Sequence, residues 1–213
     1  MFGIVHFEAY AIAAFILIII PGNDTIFILS RSIAQGKKAG IISSLGVGTG
    51  SSIHTTLAAF GLSVIIAKSI LVFTIIKYAG AAYLMYVGIK MIFFRSAPDF
   101  TDGKNGSAWK MNSFQIYKQA VLTDVLNPKV AMFFIAFLPQ FIDSGYKNSF
   151  IPFAILGFLF SITGTLWSVA LAIFSSGIFT RLRNNNKISE YMNKACGSVL
   201  LLLGIRLALE KKT

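Results

Sequence analysis

Charge is what this sequence has least of. Asp, Glu, Lys and Arg make up 13% of its 213 residues, about half the share a soluble domain needs to dress its surface. That composition excludes a soluble globular protein. A single cysteine, Cys196, excludes an internal disulfide, a CxxC redox pair and a thiolate-rich metal site within one chain. It reads as a small apolar packing residue. Two histidines, His6 and His54, leave little for an imidazole metal centre, and no cofactor is expected.

What fills the chain instead is apolar: 55% hydrophobic and 14% aromatic residues, with a mean hydropathy of +0.73. This describes an integral membrane protein with room for about six spans of ~20 residues. Residues 1–20 carry no Lys or Arg ahead of the apolar run, and Pro21-Gly22-Asn23-Asp24 is no small-x-small cleavage site. The segment is therefore read as the first half of a retained span rather than a leader.

Charged punctuation divides the chain into an all-α fold of six transmembrane helices. The first is expected from about Gly3 to Ala34, interrupted at Pro21-Gly22, the second from Ala39 to Ala67 and the third from Ile70 to Phe94. The fourth runs from Phe114 to Phe137, the fifth from Phe150 to Phe179 and the last from Ser189 to Leu209. The polar stretch from Arg95 to Asn112 reads as a loop. It separates a three-helix repeat over residues 1–94 from a second over 114–213, with 95–113 as a cytoplasmic connection. Gly36 with Gly40, and Gly46 with Gly50, have the spacing that suits close helix packing.

The net charge of +11 would suggest nucleic acid in a soluble protein; in a membrane protein it reports topology. Connections after the first, third and fifth spans hold twelve basic residues: Arg31, Lys37, Lys38, Lys90, Arg95, Lys104, Lys110, Lys118, Arg181, Arg183, Lys187 and Lys194. The other side holds six: Lys68, Lys77, Lys147, Arg206, Lys211 and Lys212. The bias places both termini outside and the basic connections in the cytoplasm. Nucleic acid is not an expected partner; the lipid bilayer is.

Three ionisable residues, Asp24, Asp124 and Lys129, fall inside these apolar helices, where each costs at least ~2.5–3.5 kcal/mol at mid-span. At ~1.5 Å rise per residue, Pro21 lies about 15 Å from the basic marker Arg31, and Pro128 lies the same distance from Lys118. The first helix of each half thus has a helix-breaking proline at mid-depth beside a polar cluster: Pro21-Gly22-Asn23-Asp24 in one, Asp124 with Asn127-Pro128-Lys129 in the other. Backbone freed by a proline is tolerated in a bilayer only where it is buried in protein or lines a cavity. Two breaks at matching positions in halves of opposite orientation mark an inverted-repeat transporter with its site at the midplane. The plainer reading is a packing kink with Lys129 paired to an Asp.

These residues carry a resemblance. The chain is similar to the LysE/RhtB family of bacterial amino-acid exporters, through Pro21-Gly22-Asn23-Asp24, the run Arg31-Ser32-Ile33-Ala34-Gln35-Gly36-Lys37-Lys38-Ala39-Gly40, and Leu45-Gly46-Val47-Gly48-Thr49-Gly50 leading to His54. Gly80-Ala81-Ala82-Tyr83-Leu84-Met85-Tyr86-Val87-Gly88, Leu126-Asn127-Pro128-Lys129, Phe133-Phe134 and Phe137-Leu138-Pro139-Gln140-Phe141 complete it. The resemblance implies a six-helix exporter of amino acids or their derivatives in the bacterial inner membrane, proton-coupled and alternating access around helices 1 and 4. The family often has Pro where this chain has Asn23, Asn where it has Asp124 and Asp where it has Ser51.

A zwitterionic substrate needs an anion for its ammonium and a cation or helix N-terminus for its carboxylate. Asp24 is the first candidate for ammonium partner or proton carrier and Asp124 the second. Lys129, with the helix end beginning at Pro128, is the natural carboxylate site, and Asn23 and Asn127 are expected to cap the broken ends. His54, sixteen residues past Lys38, is placed ~24 Å along its helix, near the outer face, as an outer relay or a packing histidine. Tyr83 and Tyr86 line the cavity or pack; Phe133, Phe134 and Phe137 face lipid or core. A divalent-cation exporter is the main alternative, since Asp and Asn oxygens suit a hard cation. An enzyme lacks a catalytic constellation, and a passive channel would show no proton dependence.

Overall fold

The computed structural model describes residues 2–62, 70–93, 111–146, 149–175 and 186–209. These form eight α-helices: α1 (Phe7–Ile19), α2 (Asn23–Gln35), α3 (Lys37–Leu57), α4 (Ile70–Phe93), α5 (Ser113–Val125), α6 (Pro128–Met132), α7 (Phe150–Ile173) and α8 (Asn186–Leu209). The expected loop lies outside the described residues over 95–110, as do the expected helix ends at 63–67 and 176–179. Helix α8 starts three residues before the expected Ser189.

Both expected interruptions are present. Pro21 lacks an N–H and cannot continue α1; Gly22, in extended backbone, starts α2, and the axis turns by 46°. The second break falls at Leu126-Asn127, with Pro128 at the first helical position, where its missing N–H would have no partner anyway. Here the axis turns by 45°. Beyond α6 the chain widens into a π turn over Phe133–Phe137 and tightens into a 3-10 turn over Leu138–Phe141, past the expected end at Phe137. Helix α7 is by itself long and apolar enough to cross a membrane, and each bent pair qualifies as one further crossing.

Helix α3 is the hub, packed on α2, α5 and α7, while α4 pairs with α8. Its small residues permit this. A Cβ added at Gly46 would lie 2.6 Å from the Ala120 Cβ and 2.7 Å from the Tyr117 main-chain oxygen; one at Gly50 would lie 2.6 Å from the Asp124 Cβ. Gly46 and Gly50 therefore seat α5, as their spacing predicts. Gly36 and Gly40 do not act as a pair. Gly36 has φ +85° with nothing near it and ends α2, in the left-handed region that favours glycine. Gly88 and Gly204 each meet main-chain atoms of the partnering helix, which brings α4 and α8 close.

Phe133, Phe134 and Phe137 are buried and face the core. Phe133 stacks on Phe160 with ring centroids 4.4 Å apart, and Phe141 meets Tyr10 edge-on at 5.4 Å. The Tyr10 hydroxyl donates to the Leu156 main-chain oxygen at 2.5 Å, tying α1 to α7. The outside carries long apolar side chains such as Leu71, Phe93, Leu122 and Leu166, the surface expected of a multi-pass membrane protein.

Candidate functional site

Asp24 lies in the first turn of α2, where the helix dipole favours an anion. It is buried, and Asn127 Nδ2 donates to its Oδ2 at 2.6 Å, while Oδ1 has no hydrogen-bond partner. Asn127 is positioned by the second break: its own Oδ1 accepts from the Lys129 main-chain N–H at 3.0 Å and so caps α6.

Asp124 lies near the end of α5 and is 1% exposed. Ser51 Oγ on α3 donates to its Oδ2 at 3.2 Å, and its Oδ1 has no hydrogen-bond partner. His54, one turn past Ser51, lies with Nε2 3.2 Å from the Asp124 main-chain oxygen. That oxygen can only accept, so the tautomer bearing Nε2–H makes the bond. The imidazole stacks on Phe134 at 5.7 Å.

Lys129 reaches back to the other break. Pro21 leaves the last carbonyls of α1 without helical donors, and Lys129 Nζ donates to the oxygens of Leu17 at 3.3 Å and Ile20 at 3.1 Å. Gly22 leaves room for it: a Cβ there would sit 3.2 Å from Nζ. Lys129 acts electrostatically on both carboxylates, and Asp24 and Asp124 act on one another. Ionised together, the three groups sum to one negative charge. The contacts are reciprocal. Asn127 and Lys129 of the second half hold Asp24 and the α1 end of the first; Ser51 and His54 of the first hold Asp124 and the α5 end of the second.

A family model for LysE-type translocators matches residues 15–211. The chain belongs to the LysE-type translocator family. It is similar to a Bacillus subtilis protein named "Uncharacterized membrane protein YrhP", 34% identical over 94% of this chain and 97% of the relative. Proteins named leucine efflux protein from Enterobacter sp. and Klebsiella pneumoniae are 29% and 28% identical over 97% of this chain, covering 97% and 96% of their own lengths. No solved structure matches it significantly.

In this translocator the sequence-predicted residues Asp24, Asn127, Lys129, Gly22 and Asp124 are brought together around the breaks that Pro21 and Pro128 make, and His54 joins them against expectation. Counting rise from Lys38 and from Lys118 separates His54 from the carboxylates only if the two lysines lie level. They do not. Gly46, eight residues past Lys38, faces Ala120, two residues past Lys118, an offset of about 9 Å. Asn23 is also corrected: it is exposed, and the N-cap position of α2 belongs to Gly22, with no side-chain cap. The N-terminal end of α6 is already satisfied by Asn127, and the Lys129 ammonium is engaged with α1 carbonyls. Tyr83 is half-buried on α4, with no hydrogen bond to the group among the described residues.

Ser51 is the site residue that sequence reasoning missed. Its signal was the pair of departures from the family pattern at Ser51 and Asp124. The two positions touch, with Ser51 Oγ donating to Asp124 Oδ2. Among the described residues no three of His, Cys, Asp and Glu gather as a metal site.

Proposed function

We propose that this translocator is a secondary active exporter of amino acids or their derivatives, coupled to protons and alternating access around the α1–α2 and α5–α6 breaks. The observation that carries the reading is the pair of buried carboxylates, each with one unpartnered oxygen, held from opposite halves beside a single ammonium. The group has one negative charge to neutralise. A proton does so, and so does the ammonium of a substrate, but not both at once. Mutual exclusion at one charge is what couples the two fluxes in opposite directions.

Six spans in two inverted repeats, over 1–94 and 114–213, account for two bends of equal angle and for reciprocal contacts between halves. The charge bias supports both termini outside in a bacterial inner membrane. Relatives named for leucine efflux direct the first substrate panel to leucine and other aliphatic amino acids.

The test is efflux of labelled amino acids from loaded proteoliposomes, with and without a pH gradient, for the parent and for Asp24→Asn and Asp124→Asn. The parent is expected to respond to the gradient and each variant to lose that response. Variants that keep proton-dependent efflux would remove the site assignment. Transport of a divalent cation with no amino-acid efflux would replace the substrate class.

A further inference from the structure

A second group of polar side chains lies on the α7 side of α3. A cleft of about 280 Å³ between these helices is lined by Thr49, Ser52, Ser161 and Thr165 among apolar neighbours. Each of these hydroxyls donates to the carbonyl four residues back, at 2.7–3.0 Å, the ordinary way for a helix in lipid to satisfy them. Thr49 Oγ1 also lies 2.8 Å from the Tyr117 hydroxyl, from which it can accept, and the other hydroxyls keep lone pairs as acceptors.

From the cleft a polar seam runs inward. Ser161 Oγ lies 3.2 Å from Thr55 Oγ1, both residues buried. Thr55 Oγ1 donates to the Ser51 main-chain oxygen at 2.9 Å, and the Ser51 hydroxyl, one turn away, donates to Asp124. Glycine makes the approach: a Cβ at Gly157 would lie 2.5 Å from Thr55 Cγ2 and 2.8 Å from its Oγ1. Two buried layers of hydroxyls thus separate the cleft from a carboxylate that has an unpartnered oxygen.

We propose that the α3–α7 cleft is the polar access route by which a proton from water reaches Asp124, with Ser161, Thr55 and Ser51 as its lining. It rests on the reading that Asp124 exchanges a proton. Hydroxyls suit such a lining because each, with its own hydrogen given to a carbonyl or carboxylate, keeps a lone pair to accept from an entering water. Polar groups gathered at one place in a membrane protein belong where they line a wetted cavity or bind another helix, and the experiment separates these two uses.

In a Cys196→Ser background, Thr165→Cys and the lipid-facing Leu202→Cys are reconstituted and treated with a water-soluble thiol reagent. Thr165→Cys is expected to react roughly ten-fold faster, because the attacking thiolate forms only where water reaches. Ser161→Ala and Thr55→Val are expected to slow proton-driven efflux several-fold while leaving substrate-for-substrate exchange at equal pH intact. Equal labelling of Thr165→Cys and Leu202→Cys overturns the route. So do Ser161→Ala and Thr55→Val variants that lose exchange and driven efflux alike, since that is the mark of helix packing alone. If Asp124→Asn keeps its proton response, the coupling assignment and the route fall together. If it loses the response while the cleft stays unreactive, only the route falls.

Discussion

Replacing Lys129 with Met keeps the length of the side chain and removes its ammonium. Two donors are then lost at the end of α1, where Pro21 prevents the helix from supplying others. A hydrogen bond to a charged group contributes about 1.5–3 kcal/mol in water-soluble proteins, whereas interhelical bonds in a membrane protein average about 0.6 and reach about 1.7. The variant also leaves Asp24 and Asp124 without their shared countercharge, and breaking a buried charge set costs about 3–5 kcal/mol. Two bonds at the membrane average give about 1.2 kcal/mol and the bare charge set up to about 5, and the loss is expected between these bounds. Unfolding in mixed micelles with rising SDS, followed by helical circular dichroism, reads it. A variant that unfolds at the parent's SDS fraction refutes the pinning of α1 by Lys129. Parental stability with a substrate KM raised about ten-fold, or 1.4 kcal/mol, would return Lys129 to the role of substrate carboxylate ligand.

Other expectations use the same two measurements. Gly46→Ala drives a methyl against the Tyr117 main-chain oxygen, which cannot retreat, and is expected to cost about 1–3 kcal/mol. Gly50→Ala meets the Asp124 side chain, which can turn aside, so it should cost less stability and more transport; the opposite order would contradict the packing described for α3 and α5. Ser51→Asp combined with Asp124→Asn moves the carboxylate across a 3.2 Å contact, and the double variant should regain the pH-gradient response that Asp124→Asn alone loses. A folded but inactive double variant would show that the position of the charge matters as well as its presence. Tyr10→Phe removes one buried hydrogen bond and is expected to cost about 1 kcal/mol with efflux unchanged.

The helix breaks were legible because a proline deep within an apolar run cannot continue the helix before it, and the intramembrane charges because the apolar background makes them conspicuous. The cap at Asn127 follows the same logic, since an Asn just ahead of Pro is the expected order for a helix start. Asn23 did not repeat it. Gly22 took the turn and left the Asn side chain outside. The position of His54 could not be read from rise alone, because rise measures distance along one helix while the level between helices is set by which glycine meets which neighbour. Gly46 against Ala120 fixes that level, and neither residue announces its partner. Ser51 was hidden for a related reason. A serine in a helix rich in small residues looks like packing until the facing carboxylate is known.

The cross-holding of the two halves has a consequence for how the protein is made. Asn127 follows Asp24 by 103 positions, and Lys129 later still. At synthesis rates of about 5–20 residues per second, Asp24 and the open end of α1 wait about 5–20 s for the side chains that hold them. During that time the newborn first half carries an unassisted carboxylate, which costs at least ~2.5–3.5 kcal/mol if it enters lipid. Membrane integration of the first half, α1 to α4, is therefore expected to stay provisional until the α5–α6 break arrives with Asn127 and Lys129, and mutations at either residue to lower the yield of inserted protein before they alter its transport.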